Sequence, residues 1–185
     1  MKEMLELYDE ENKPLKIVKE KSLVHREGDF HRVIHVCIIN DKCEILCNKR
    51  SKDKDLYANK LDIIFGGHLK SRESYEDAAI RELKEEIGMC IRKYDLKHIG
   101  NFRIKYKNSK RQILNNEFIK LFFIKTNGEN LDNLKLQNDE LNKILLLSSH
   151  KLRHFLKDPV LSKRFVPFKD YFLKIINLIE MEVKK

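Results

Sequence analysis

Residues 62–89 constrain this chain more than any other stretch. A short apolar strand, Asp62 to Phe65, runs into two consecutive glycines, Gly66 and Gly67, and a helix with both ends marked follows. Ser74 suits an N-cap, with Asp77 three residues on as a capping-box analogue. Gly88 stands where a left-handed C-terminal residue belongs. Between them Ala79, Ile80, Leu83 and Ile87 form one apolar stripe at helical spacing. Such a stripe marks the face that packs on the rest of the domain.

The rest of the chain supplies a sheet. Leu5 to Tyr8 and Leu15 to Val18 read as two strands across a polar turn at Asp9 to Pro14, within an N-terminal hairpin region spanning 1–30. Arg32 to Asn40 reads as a buried strand, with a turn at Asp41 and Lys42 and a partner through Cys43 to Cys47. Two long strands are expected at Lys97 to Lys107 and Gln112 to Thr126, and another near Leu141 to Leu147. Helices are expected at Ser148 to Lys157, stopping at Asp158-Pro159, and at Phe168 to Val183, with Phe168, Phe172, Ile175, Ile176 and Ile179 on one face. The order predicts a single α/β (α+β) domain over 1–185, with C-terminal helices across 148–183.

Composition narrows the classes. The 185 residues are 42% hydrophobic, enough for one real core. No apolar run approaches the roughly 18 residues of a membrane span. The N-terminus has no signal-peptide core, so a cytoplasmic location is expected. The four cysteines, Cys37, Cys43, Cys47 and Cys90, form no C-x-x-C pair and read as reduced thiols packed on strands. The net charge is +9, but the lysines are dispersed and no aromatics interleave with them, which argues against specific nucleic-acid binding.

The helix carries an arrangement that helix stability would not choose. Glu82, Glu85 and Glu86 share one face at i, i+3 and i+4, where like charges cost a few tenths of a kcal/mol per pair. Two of them lie in the last turn, where the helix dipole disfavours anions. Arg81 offsets part of this through Glu85. A hard divalent cation would offset more, because carboxylate oxygens are its preferred ligands.

From Gly67 to Met89 the chain reads GHLKSRESYEDAAIRELKEEIGM. This matches the Nudix box, G-x5-E-x7-R-E-U-x-E-E-x-G-U with U a bulky aliphatic residue, at Gly67, Glu73, Arg81, Glu82, Leu83, Glu85, Glu86, Gly88 and Met89. The chain therefore resembles Nudix proteins. The resemblance implies an α/β/α sandwich around a mixed sheet and hydrolysis of a diphosphate linked to a group X, with Mg²⁺ or Mn²⁺. It implies Glu82, Glu85 and Glu86 as metal ligands, with the carbonyl of Gly66 beside them. Glu73 would be a ligand or would orient the box through Arg81.

A wider resemblance covers about residues 1–150 and points to the branch related to isopentenyl diphosphate isomerase. It rests on Leu5 to Glu10, Lys21 to His31, NKRSKDK and GGHLKSRES. Positions similar to that enzyme's metal ligands are His25 (one residue out of register), His31, His68 and Glu117. Lys21, Arg50 and Lys54 resemble its diphosphate-binding cations, and Arg81 is a further candidate for substrate binding. The departures argue against isomerisation. The catalytic cysteine falls at Gly66, a metal-binding glutamate at Asn115, and the carbocation-stabilising tryptophan near Leu146; the chain has no tryptophan. The carboxylates of the box, which isomerases usually lose, are intact.

The expectation is thus a metal-dependent diphosphohydrolase acting on a nucleoside diphosphate derivative or similar small molecule. Glu117, Glu140, Glu85 and Glu86 are the candidate general bases. An isomerase-like enzyme and a non-catalytic nucleotide- or RNA-binding domain are the alternatives. A homodimer could form through the sheet edge or the C-terminal helix.

Overall fold

The computed structural model describes residues 2–54, 56–109, 112–126, 131, 134–136 and 141–184. Eight strands and four helices are named among them: β1 (Met4–Tyr8), β2 (Pro14–Glu20), α1 (Lys21–Glu27), β3 (Phe30–Ile39), β4 (Glu44–Arg50), β5 (Leu61–Asp62), α2 (Tyr75–Ile87), β6 (Lys97–Asn108), β7 (Ile113–Lys125), β8 (Leu141–Ser148), α3 (Ser149–Lys157) and α4 (Lys169–Val183).

Strand β3 organises the sheet. It runs parallel to β7 over ten residue pairs, from Phe30↔Asn116 to Ile39↔Lys125. β6 lies antiparallel on the far side of β7. β3 meets β4 only at Ile39↔Ile45, and β8 and β5 pair with β4. The sheet therefore parts between β3 and β4, and residues 65–69 lie along the free edge of β3. Ile34 N–H donates to the Gly67 carbonyl at 2.9 Å, Val36 N–H to Phe65 at 2.8 Å, and Leu69 N–H to Arg32 at 3.1 Å.

The period-2 alternation of β3 divides two cores. Ile34, Val36 and Ile38 pack with Leu83 and Ile87 of α2. Cys37 and Ile39 pack on the other face with Leu152 and Leu156 of α3 and Phe172, Ile175, Ile176 and Ile179 of α4. This is an α/β/α sandwich around a mixed sheet, as expected. Deleting a side chain such as Leu83, fully buried, would cost about 2–5 kcal/mol.

Most expected elements appear with their ends shifted by a few residues. Ser74 Oγ accepts the Asp77 N–H at 3.1 Å and Gly88 sits at φ 67°, so both helix signals operate as read. The buried stripe of α2 is Ala78, Ala79, Leu83 and Ile87; Ile80 is only half-buried. The expected strand Asp62–Phe65 is two features. β5 ends at Asp62 and pairs with β4, whereas Phe65 bridges to Val36 of β3. Residues 21–27, expected within a hairpin, form helix α1, closed by Gly28 at φ 77°. Cys37 and Cys47 are buried on strands, but Cys43 sits in a turn and Cys90 is exposed.

Candidate active site

The gap between β3 and β4 opens a cavity of about 220 Å³. Arg50, Lys54, Asp62, Glu86, His68 and Glu117 are among its charged and ionisable lining groups. Gly66 and Gly67 line it and also touch α2. Gly66 N–H donates to Glu86 Oε2 at 3.2 Å. A Cβ on Gly67 would lie 2.6 Å from Glu82 Oε1, and one on Gly66, at φ 139°, would lie 2.2 Å from the Ile34 carbonyl oxygen. At Gly66 a side chain would require the backbone to move, and at Gly67 the Glu82 carboxylate would have to give way, so the acidic helix reaches the cavity across bare backbone.

Arg81 organises the box. Its Nε and one terminal nitrogen donate to the two oxygens of Glu73, at 2.8 and 2.9 Å. That same nitrogen donates to the His68 carbonyl at 2.9 Å, and the other donates to Glu82 at 2.6 Å and Glu85 at 3.1 Å. All five N–H donors are thereby used. Glu73 also accepts the Lys70 N–H, so both its oxygens are engaged. Its carboxyl is held below the usual range: partial burial opposes this, and Arg81 overrides it.

A group of side chains able to ligate a metal lies beside the cavity. His25 comes from α1, His31 from β3 and His68 from the segment after Gly67. Their ring centroids stand 5.1, 5.2 and 5.2 Å apart, and one ligating atom from each lies within 4.8 Å of the others. The Nε2 of all three is buried with no hydrogen-bond partner. His31 Nδ1 is fixed by the Asp29 carbonyl at 3.0 Å, and His68 Nδ1 by Glu3 Oε1 at 3.2 Å. Burial pushes His25 down to about 4 and His31 to about 3, and lowers His68. Neutral imidazoles with orphaned, converging Nε2 atoms suit a divalent metal.

Glu117 pairs in register with His31 and lies 3.8 Å from its Nε2. Burial raises its carboxyl to about 7, although Asn115 donates to it at 2.6 Å. Arg50 lines the cavity, with Nε on the Leu56 carbonyl at 3.2 Å and a terminal nitrogen 3.8 Å from Asp62. Burial lifts Asp62 to about 6, against the pull of Arg50. Lys21 is not among the residues lining this cavity; its Nζ donates to Glu3 at 2.7 Å at the outer side of the histidine cluster. Glu140 lies outside the described residues.

A NUDIX domain model matches residues 29–169. The chain belongs to the Nudix family. An uncharacterised Nudix hydrolase of Clostridium acetobutylicum is 30% identical over 161 residues, covering 85% of this chain and 76% of that protein. The isopentenyl-diphosphate Delta-isomerase 1 of Aromatoleum aromaticum is 30% identical over 116 residues, 63% of each chain, in keeping with the branch resemblance. The solved MutT protein of Methanosarcina mazei superposes with a TM-score of 0.60 at 20% identity, over 84% of this chain and 96% of that one, which bears on the fold alone.

Nudix hydrolases generally use divalent metal ions and act on small molecules. Among the described residues no helix of this Nudix protein is long and apolar enough to cross a membrane. Three features of the site were not legible in the sequence. Asp62 was read only as a strand residue, and its place in an apolar run was the available signal. Glu3 gave none. His35 falls inside the buried strand Arg32 to Asn40 and carries no separate signal.

Proposed function

We propose that this Nudix protein hydrolyses a diphosphate linkage in a small molecule with the help of Mg²⁺ or Mn²⁺. The observation that carries the reading is the cavity itself, where Glu86 of the box shares one lining with Arg50 and Lys54. Carboxylates for a dication and cations for a diphosphate are what such a reaction needs together.

Glu82, Glu85 and Glu86 would hold the ion, with the Gly66 carbonyl beside them. When bound, the ion supplies charge neutralisation on phosphate oxygens and a water of lowered pKa. Arg50, fixed by Leu56 and Asp62, presents its fork to the diphosphate, and Lys54 adds a point charge. Glu117 takes the proton of the attacking water. It lines the same cavity, and a carboxyl near 7 is matched to proton transfer at neutral pH. Arg81 and Glu73 act as positioning residues for the box rather than as ligands of metal or substrate, because their polar atoms are already engaged. His25, His31 and His68 form a second metal-holding group.

Gly66 speaks against the isomerase alternative. A cysteine there would press its Cβ onto the Ile34 carbonyl. The test is a phosphate-release screen over nucleoside diphosphates, triphosphates, dinucleotides, sugar nucleotides and short alkyl diphosphates with Mg²⁺ or Mn²⁺. Metal-dependent turnover that falls by orders of magnitude in Glu85→Gln and Glu86→Gln is expected. Wild-type turnover in both variants would overturn the assignment.

A further inference from the structure

Among the polar contacts in the cavity is one between two distant elements that neither the box nor the cations account for. His35 of β3 and Tyr171 of α4 both line it, and the His35 Nδ1 and the Tyr171 hydroxyl are 2.8 Å apart. Ile34 and Val36, on either side of His35, are fully buried, and so is Phe172 beside Tyr171. His35 and Tyr171 themselves are only half-buried. They line the cavity together with apolar and aromatic residues, Ile104, Val166, Phe168 and Phe172, and with polar ones such as Asn48 and Asn115. Phe102 packs edge-on against Tyr171, with centroids 4.9 Å apart, so the phenol ring is fixed in place.

The pair has capacity left over. A phenol has one donor and two acceptor sites, and a neutral imidazole one donor and one acceptor. Burial holds His35 neutral. If the phenol donates to Nδ1, its oxygen can still accept. If Nδ1–H donates to the phenol, the hydroxyl proton is free to point into the cavity. A hydroxyl on a bound molecule satisfies either arrangement. Tyr171 and Phe172 also lie beyond the residues matched by the family model, which end at 169. Tyr171 thus comes from the helix that closes one face of the sandwich, away from the box.

We propose that the His35–Tyr171 pair is a specificity contact that reads a hydroxyl on the group X carried by the diphosphate. The cavity of about 220 Å³ takes a short chain beside the diphosphate, which sets the size of the probe ligands. The inference rests on the hydrolase reading for the placement of the diphosphate, and its test is independent of turnover.

The test uses the full chain with Mg²⁺ and matched non-hydrolysable ligands: butyl methylenediphosphonate and its 2-, 3- and 4-hydroxybutyl counterparts, measured by calorimetry. At least one hydroxylated ligand is expected to bind the wild type tenfold or more tighter than the butyl compound, because a site with polar groups left unpaired rejects the analogue lacking the hydroxyl. Tyr171→Phe, which keeps the ring against Phe102, is expected to close that gap to within twofold while leaving butyl affinity unchanged. If Tyr171→Phe fails to fold, His35→Gln is read on the same ligand pair, with the same narrowing expected. Equal binding of all four ligands by the wild type overturns the proposal. So does a gap that persists in the variant, or an equal loss for both ligands. A protein that keeps the gap yet hydrolyses nothing in the phosphate-release screen overturns the proposed function and leaves this contact standing. Hydrolysis without a gap does the reverse.

Discussion

Glu73 holds Arg81 through two parallel hydrogen bonds, at 2.8 and 2.9 Å, and Arg81 passes that constraint to Glu82 and Glu85. The pair is largely buried, with side chains 13% and 19% exposed. Removing Glu73 leaves Arg81 with Glu82 and Glu85 but takes the acceptors from two of its hydrogen bonds, each unmet donor costing about 1–3 kcal/mol. Glu73→Ala is therefore expected to lower stability by a few kcal/mol in urea unfolding. The gentler Glu73→Gln is expected to keep the fold and raise the Mg²⁺ concentration needed for half-maximal turnover by about tenfold, the effect of losing an outer-shell partner. An unchanged Mg²⁺ requirement in Glu73→Gln would remove the positioning role.

Gly66→Cys tests the steric argument at the isomerase position. At φ 139° with the Ile34 carbonyl 2.2 Å from an added Cβ, the backbone must move to accept any side chain. A loss of about 2 kcal/mol or more is expected, in line with strain at a glycine-only conformation. Solvent deuterium is not expected to enter an allylic diphosphate incubated with the variant. Deuterium incorporation at unchanged stability would contradict both the geometry and the hydrolase reading.

Asp62 gives a pH-dependent signature. Its folded pKa of about 6 lies above the ordinary value of 3.8, so the native state binds a proton more readily than the unfolded chain between these values. Its contribution thus favours folding below about 3.8 and becomes a penalty as pH rises through 6. The shift corresponds to roughly 2–3 kcal/mol. Asp62→Asn is expected to raise stability by up to that amount at pH 8 and by little at pH 4, checked by urea unfolding at both. It is also expected to raise KM for a confirmed substrate, since Arg50 loses one of its two anchors. Equal effects on stability at the two pH values would rule out the buried-carboxyl account.

How much of this was legible in the sequence follows from where the information lies. The box and its helix were readable because caps, stripe and acids are local. β3 was readable as a buried strand, but its near-continuous apolar run does not show that it is shared between two cores. Helix α1 was not: Lys21–Glu27 buries only Val24, and its N-terminal residue Glu20 makes no side-chain cap, so it carries neither stripe nor start signal. Tyr171 and His35 are 136 residues apart, and only the docking of α4 on the sheet joins them. The histidine cluster was reached through family resemblance. What the sequence could not show was the Glu3 carboxylate behind His68, because that contact depends on β1 folding back beside the site. Lys21 was expected at the diphosphate, and Glu3, just before β1, captures it instead.

That histidine cluster yields the last prediction. In metal-free protein the three rings are buried neutral, with folded pKa values depressed to about 4 for His25 and about 3 for His31, and lowered for His68. A histidine with a depressed folded pKa favours folding above its unfolded value near 6.5, and that contribution is lost as pH falls toward the folded value. Chelator-treated protein is therefore expected to lose stability progressively between about pH 6.5 and 4. A dication on the three Nε2 atoms binds only the neutral rings, so added Mn²⁺ is expected to raise Tm strongly at pH 7.5 and weakly at pH 5. His31→Gln removes one ligand from the least exposed position of the three. With the carboxylates of α2 intact, it is expected to abolish one of two Mn²⁺ binding events in calorimetry while the other survives. Loss of both, or of neither, would show that the imidazoles and the acidic helix do not hold separate ions.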